Sequence, residues 1–249
     1  MIRCLLFLVV VAAPLLAQEP ASADAVLKLL DARAAATKSW QANFAKVLTQ
    51  GTNVIIQTGT VRIARLPNGT EKGRADFITQ MLGRELNYRI IAGDDGLVWQ
   101  LVSQGNRTGI YKLDLNRPIA GSTESPRSVN PINELNPASY LQKYRAQLDF
   151  ALDAPQTFAG RRVLQLVGKP RASAGVSQLP FGLIRFWVGT EDGFLHRLAL
   201  SNLRGVPMLV LELTGVRTNL ALEDGLFIYA PPEGANVLDL NARLGSPTR

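Results

Sequence analysis

The chain is poor in the side chains that carry most protein chemistry. Its 249 residues include one histidine, one cysteine and three methionines, and aromatic residues make up only 7%. One His and one Cys cannot assemble a four-cysteine, two-cysteine-two-histidine or three-histidine zinc site within one chain, and a Ser-His-Asp or Cys-His engine would rest on His196 alone. There is no G-x-S-x-G elbow, no G-x-x-x-x-G-K-[ST] phosphate loop and no H-E-x-x-H helix. His196 falls in the strand-like stretch Phe194 to Leu200, where a half-buried or exposed strand histidine is the simpler account. The acids sit mostly in turns or on a helix surface and specify no glycosidase pair. No catalytic residue, metal or cofactor is expected, and the chain is read as a non-enzyme.

Long apolar runs are also scarce, with one exception at the start. Arg3 precedes an apolar run from Cys4 to Ala13, followed by Pro14 and small residues, the pattern of a secretory signal. The run is too short for a spanning helix, which needs about 20 apolar residues. Residues 1–23 are therefore expected to be removed, by cleavage after Ala17 or after Ala23, leaving 24–249 as a single soluble periplasmic domain. Either cut removes Cys4, so the mature chain would have no disulfide and would depend on its hydrophobic core.

Basic residues outnumber acidic ones, 27 to 20, for a net charge of +7. The segment 1–23 carries only Arg3 and Glu19, so the balance belongs to the mature chain. It suits anionic lipid or an acidic protein surface. The longest basic run is the pair Arg161-Arg162, with no interleaved aromatics, which excludes a nucleic-acid platform.

Residues 24–48 place Val26, Leu30, Trp40, Phe44 and Val47 at helical spacing, interrupted by Arg33 and Thr37. This predicts one amphipathic helix stopped at Gly51. Short segments rich in β-branched and aromatic residues follow, at hairpin intervals. The first set is Val54–Ala64, Arg74–Gln80, Glu85–Ala92, Leu97–Ser103 and Thr108–Leu115. The second is Gln147–Leu152, Arg162–Val167, Gly182–Gly189, Leu195–Leu203, Met208–Arg217 and Leu226–Tyr229. Asp94-Asp95-Gly96, Glu191-Asp192-Gly193 and Glu223-Asp224-Gly225 read as tight turns. Residues 116–137 form a Pro-rich loop, and Asn136-Pro137 opens a short helix ending near Lys143 to Arg145. Two helices cannot cover both faces of about eleven antiparallel strands, so the sheet should curve on itself or leave a concave face open. Trp40, Phe44, Trp99, Phe186, Trp187 and Phe227 are the aromatics expected inside.

Several blocks together resemble one family. They are Trp40 to Phe44, Gly59 to Arg65, Asp95-Gly96-Leu97-Val98-Trp99, Asp192-Gly193-Phe194-Leu195-His196, and Phe227 to Asp239 with its Phe-x-Tyr-x-Pro-Pro-x-Gly core. In order and spacing the chain resembles the LolA family of periplasmic lipoprotein carriers over roughly residues 24–240. The resemblance implies a mainly β (α+β) fold, a strongly curved, incomplete antiparallel barrel with a helical lid over an apolar cavity. It implies a carrier that shields the acyl chains of a lipid or acylated lipoprotein, as a monomer, between membrane-bound donor and acceptor proteins. Trp40, Phe44, Val61, Ile63, Arg65, Trp99, Phe186, Leu198 and Leu200 are the residues expected to meet the ligand. Arg65 matches the family arginine that fastens the lid, although here Leu66 separates it from Pro67 and the aromatic beyond that proline is absent. A periplasmic sensor of the same fold is the alternative, and an exported hydrolase using His196 ranks below both.

Overall fold

The computed structural model describes residues 20, 22–122, 125–171 and 179–243. Nearly all of the expected signal segment, Cys4 included, lies outside them. The first helix, α1 (Ala23–Ala36), starts where Ser22 accepts a hydrogen bond from the Ala25 amide. It stops far short of Gly51. From Ser39 the chain is strand β1 (Ser39–Gln50), so Trp40 and Phe44 stand on a strand and the single long helix is corrected. The reason is period. Trp40, Ala42, Phe44 and Lys46 alternate with more exposed residues, and over this stretch the two-residue repeat outweighs a helical stripe already broken by Arg33 and Thr37. Gly51, at φ 61°, turns the β1–β2 hairpin instead of capping a helix.

The remaining strands are β2 (Asn53–Arg65), β3 (Glu71–Met81), β4 (Arg84–Ala92), β5 (Leu97–Gln104), β6 (Arg107–Asp114), β7 (Leu148–Phe158), β8 (Arg161–Pro170), β9 (Leu183–Gly189), β10 (Leu195–Ser201), β11 (Pro207–Thr218) and β12 (Val237–Asp239). Helix α2 (Pro137–Tyr144) starts at the expected Asn136 cap, whose side chain accepts from Ala138 N. A single-turn helix, α3 (Leu240–Arg243), ends the described chain. Among the described residues the sheet thus has twelve strands where about eleven were expected. Leu226–Tyr229 is not a strand: Asp224–Phe227 is a 3-10 turn, which also replaces the tight turn expected at Gly225.

All twelve strands form one open, curved sheet in the order β12-β6-β5-β4-β3-β2-β1-β11-β10-β9-β8-β7. Two hairpin meanders, β1–β6 and β7–β11, are joined where β1 pairs with β11, and β12 returns to lie parallel to β6. The first meander brings Lys46, Gln57 and Thr79 into one cross-strand row, and Phe44, Gly59 and Phe77 into the next. A Cβ on Gly59 would lie 2.2 Å from the Asp76 carbonyl oxygen, so this row closes only with glycine. The main core covers the concave face, with Val26, Leu27 and Leu30 of α1 in one buried cluster with Phe44, Val61, Phe186, Leu198 and Leu213. Trp187 belongs to a small separate cluster with Val163 and Ala199.

Candidate functional site

Between α1 and α2 the concave face remains open as a groove of about 970 Å³. Trp40, Lys46 and Leu48 of β1, Ile63 of β2 and Leu209 of β11 line it, with the last turns of α1 and nearly all of α2. Its volume is at the upper end of the range of small-molecule sites, about 300–1,000 Å³. The lining mixes apolar side chains with polar and charged ones; it is not apolar throughout.

A chain of hydrogen bonds crosses the mouth. Arg65, at the end of β2, donates Nη1 to the carbonyl of Ala34 in the last turn of α1 and Nη2 to Glu71 Oε1 at 3.2 Å. Helix C-terminal carbonyls lack intrahelical donors and carry partial negative charge, so a guanidinium there satisfies both needs. The other oxygen of Glu71 accepts from Asn136 Nδ2 at 3.5 Å, and Asn136 in turn caps α2. Arg65 and Glu71 therefore tie the C-terminus of one helix to the N-terminus of the other across the sheet. Farther along, Lys46 Nζ donates to Glu134 Oε2 at 2.6 Å, which pins the 3-10 turn Pro131–Leu135 that precedes α2. Burial, and then the nearby Glu134 and Tyr144, push the Tyr140 hydroxyl above its ordinary range, and Tyr140 lines the groove.

Of the nine residues expected to meet a ligand, Trp40, Ile63 and Arg65 line the groove. Phe44, Val61, Phe186 and Leu198 lie in the core beneath it, and Leu200 packs at the core's margin. Trp99 alternates with the core residue Val98, so it points away from the groove face, where Tyr229 covers it edge-on at 5.4 Å. Tyr229 and Phe227 belong to a strap that crosses Trp99 of β5 and ends as β12, with Asn241 beyond it bonded to the backbone of Asp114 and Arg117. Lys46, Glu71, Glu134 and Tyr140 were missed as groove residues. Lys46 shares strand parity with Trp40 and Phe44, a signal hidden by the helical reading of β1.

His196 is buried, with 2% of its side chain exposed, and not half-buried or exposed as expected. Its Nε2 lies 2.9 Å from Asp192 Oδ2. Burial works against ionisation of Asp192. Bonds from His196 and the Phe194 amide, with Arg161 nearby, outweigh it and hold the carboxyl below its ordinary value. The group folds the β9–β10 turn, where Gly193 at φ 60° backs onto Leu29 and Arg33 of α1. Among the described residues no three His, Cys, Asp or Glu side chains come together to hold a metal. Among them also, no helix is long and apolar enough to cross a membrane.

No protein-family model and no curated protein sequence matches the chain. It is similar to solved structures that include a LolA superfamily protein, the likeness anticipated from the sequence. LprF from Mycobacterium bovis is 11% identical with a TM-score of 0.48, covering 83% of this chain and 98% of that one. The Pseudomonas aeruginosa MucA/MucB complex is 16% identical at a TM-score of 0.44, covering 84% of this chain and 61% of the other. The LolA superfamily protein from Nitrosomonas europaea is 10% identical at a TM-score of 0.28, covering 84% and 99%. At such distances no residue role and no ligand transfers to this chain.

Proposed function

We propose that this protein is an exported lipid or lipoprotein carrier of the periplasm, in which the groove between α1 and α2 shields acyl chains. The observation that carries the reading is the open groove floored by Trp40, Leu48, Ile63 and Leu209 and bridged by the Arg65–Glu71–Asn136 chain. Each methylene moved from water onto such a floor contributes about 0.8 kcal/mol. Release then needs an acceptor able to replace those contacts. The helices act as the lid: parting them breaks a few hydrogen bonds at the mouth while the sheet stays intact, so loading and unloading require no nucleotide.

The N-terminal segment supports export, and the groove needs no catalytic group to do this work. Native mass spectrometry of protein exported to a bacterial periplasm and purified without detergent tests the reading. The expected result is a population carrying one or two extra masses of acyl-lipid size that are lost on organic extraction. A single apo mass, unchanged after incubation with diacyl lipid, would overturn it.

A further inference from the structure

Between the Arg65–Glu71 pair at one end and the Gln50–Asn53 pair at the other, the concave faces of β1, β2 and β3 are apolar or glycine except at one interior row. That row is Lys46, Gln57 and Thr79, cross-strand neighbours in register, with Gln57 Nε2 donating to Thr79 Oγ1 at 3.3 Å. Lys46 is the buried cation of the row and lines the groove. Its ion pair is lopsided, with 3% of the Lys46 side chain exposed but 66% of Glu134. Taking an ammonium out of water costs several kcal/mol, and a partner still in water returns little of it. An ammonium has three donors, and Glu134 is its hydrogen-bond partner among the described residues. The surrounding groove is basic as a whole, with six Lys or Arg side chains against three Asp or Glu. One of them, Arg33, has a buried Nε without a hydrogen-bond partner.

The geometry points to Lys46 as the headgroup contact of the groove: an amphiphile bearing a phosphate or carboxylate sets its acid against Nζ in place of Glu134. Its chains run along β1 toward Trp40, six residues or about 20 Å away. The inference rests on the carrier reading and names its ligand class. Displacing Glu134 frees the Pro131–Leu135 turn, which continues through Asn136 into α2, so the ligand's acid also loosens one side of the groove.

The test compares dioleoyl phosphatidylglycerol with dioleoylglycerol, which has the same chains and no acid, in displacing a fluorescent neutral acylglycerol from the mature protein. The wild type should bind the acidic lipid roughly tenfold tighter or more, the worth of one charge-assisted hydrogen bond. Lys46→Met should remove the preference and keep dioleoylglycerol binding, Lys46→Arg should retain it, and Glu134→Gln should tighten the acidic lipid further. Equal affinities in the wild type would overturn the inference, as would a preference that survives in folded Lys46→Met. If Lys46→Met does not fold, Glu134→Gln decides, and unchanged affinity for the acidic lipid overturns the inference. Inorganic phosphate alone should displace nothing; displacement by phosphate would assign the site to free anions and overturn the lipid headgroup. Binding of neither lipid would instead defeat the carrier reading itself.

Discussion

Arg65 is placed to act on both helices at once, because its two terminal nitrogens reach the Ala34 carbonyl and Glu71 separately. Arg65→Ala should cost about 1–2 kcal/mol, as expected for partly buried charged hydrogen bonds. The loss should appear as a lower urea midpoint and as faster amide exchange confined to the last turn of α1 and the first turn of α2. Uniformly faster exchange over the sheet would show that Arg65 supports the fold generally and does not hold the groove. Asp192 predicts a pH effect. Its folded carboxyl binds a proton more weakly than in the unfolded chain, so its contribution is complete above the unfolded value near 3.9 and disappears as pH falls through the folded one. Urea midpoints of wild type and Asp192→Asn should therefore differ at pH 6, and the gap should narrow as pH falls below the unfolded value near 3.9. A gap that widens in acid would contradict this.

At the scale of elements, Gly59 matters for the space it leaves and not for its backbone freedom. A Cβ there would meet the Asp76 carbonyl oxygen and Phe77 Cβ at 2.2 and 2.4 Å, across the β2–β3 ladder and beside Phe44. Gly59→Ala should destabilise by about 2–3 kcal/mol through overpacking, measured by thermal unfolding; a neutral result would mean that the strands separate easily. Elements were legible where local chemistry decides them. Asn136-Pro137 marked α2, and Gly96 and Gly193 marked turns that do take positive φ. Residues 39–50 were misread because Trp40, Phe44 and Val47 satisfy a helical spacing, while Trp40 and Phe44 equally satisfy the alternation that the β2 and β11 partners select, with Val47 on the opposite face. Those partners lie elsewhere in the chain, so the decision was not local. Leu226–Tyr229 looked like a strand on composition, yet Phe227 turns inward in a 3-10 turn and the real edge strand is Val237–Asp239.

At the scale of the whole molecule, the sequence pattern conveyed a mostly β chain with too few helices to cover its sheet, but not where those helices sit. The groove exists because the β1–β11 pairing joins two meanders into one curved surface, and because α1 and α2 approach it from distant parts of the chain. Neither event has a local signature, which is why Lys46, Glu71 and Glu134 were not recognised as groove residues. The three tryptophans make the central claim directly measurable. Trp40 lines the groove, whereas Trp99 lies under Tyr229 on the other face and Trp187 sits in the separate cluster with Val163. A brominated acyl chain quenches an indole only on contact. Titrating a brominated diacyl lipid into the Trp99→Phe/Trp187→Phe variant should therefore quench Trp40 saturably, while the Trp40→Phe variant keeps its emission. Quenching that is absent in the first variant, or stronger in the second, would contradict acyl-chain binding in the groove.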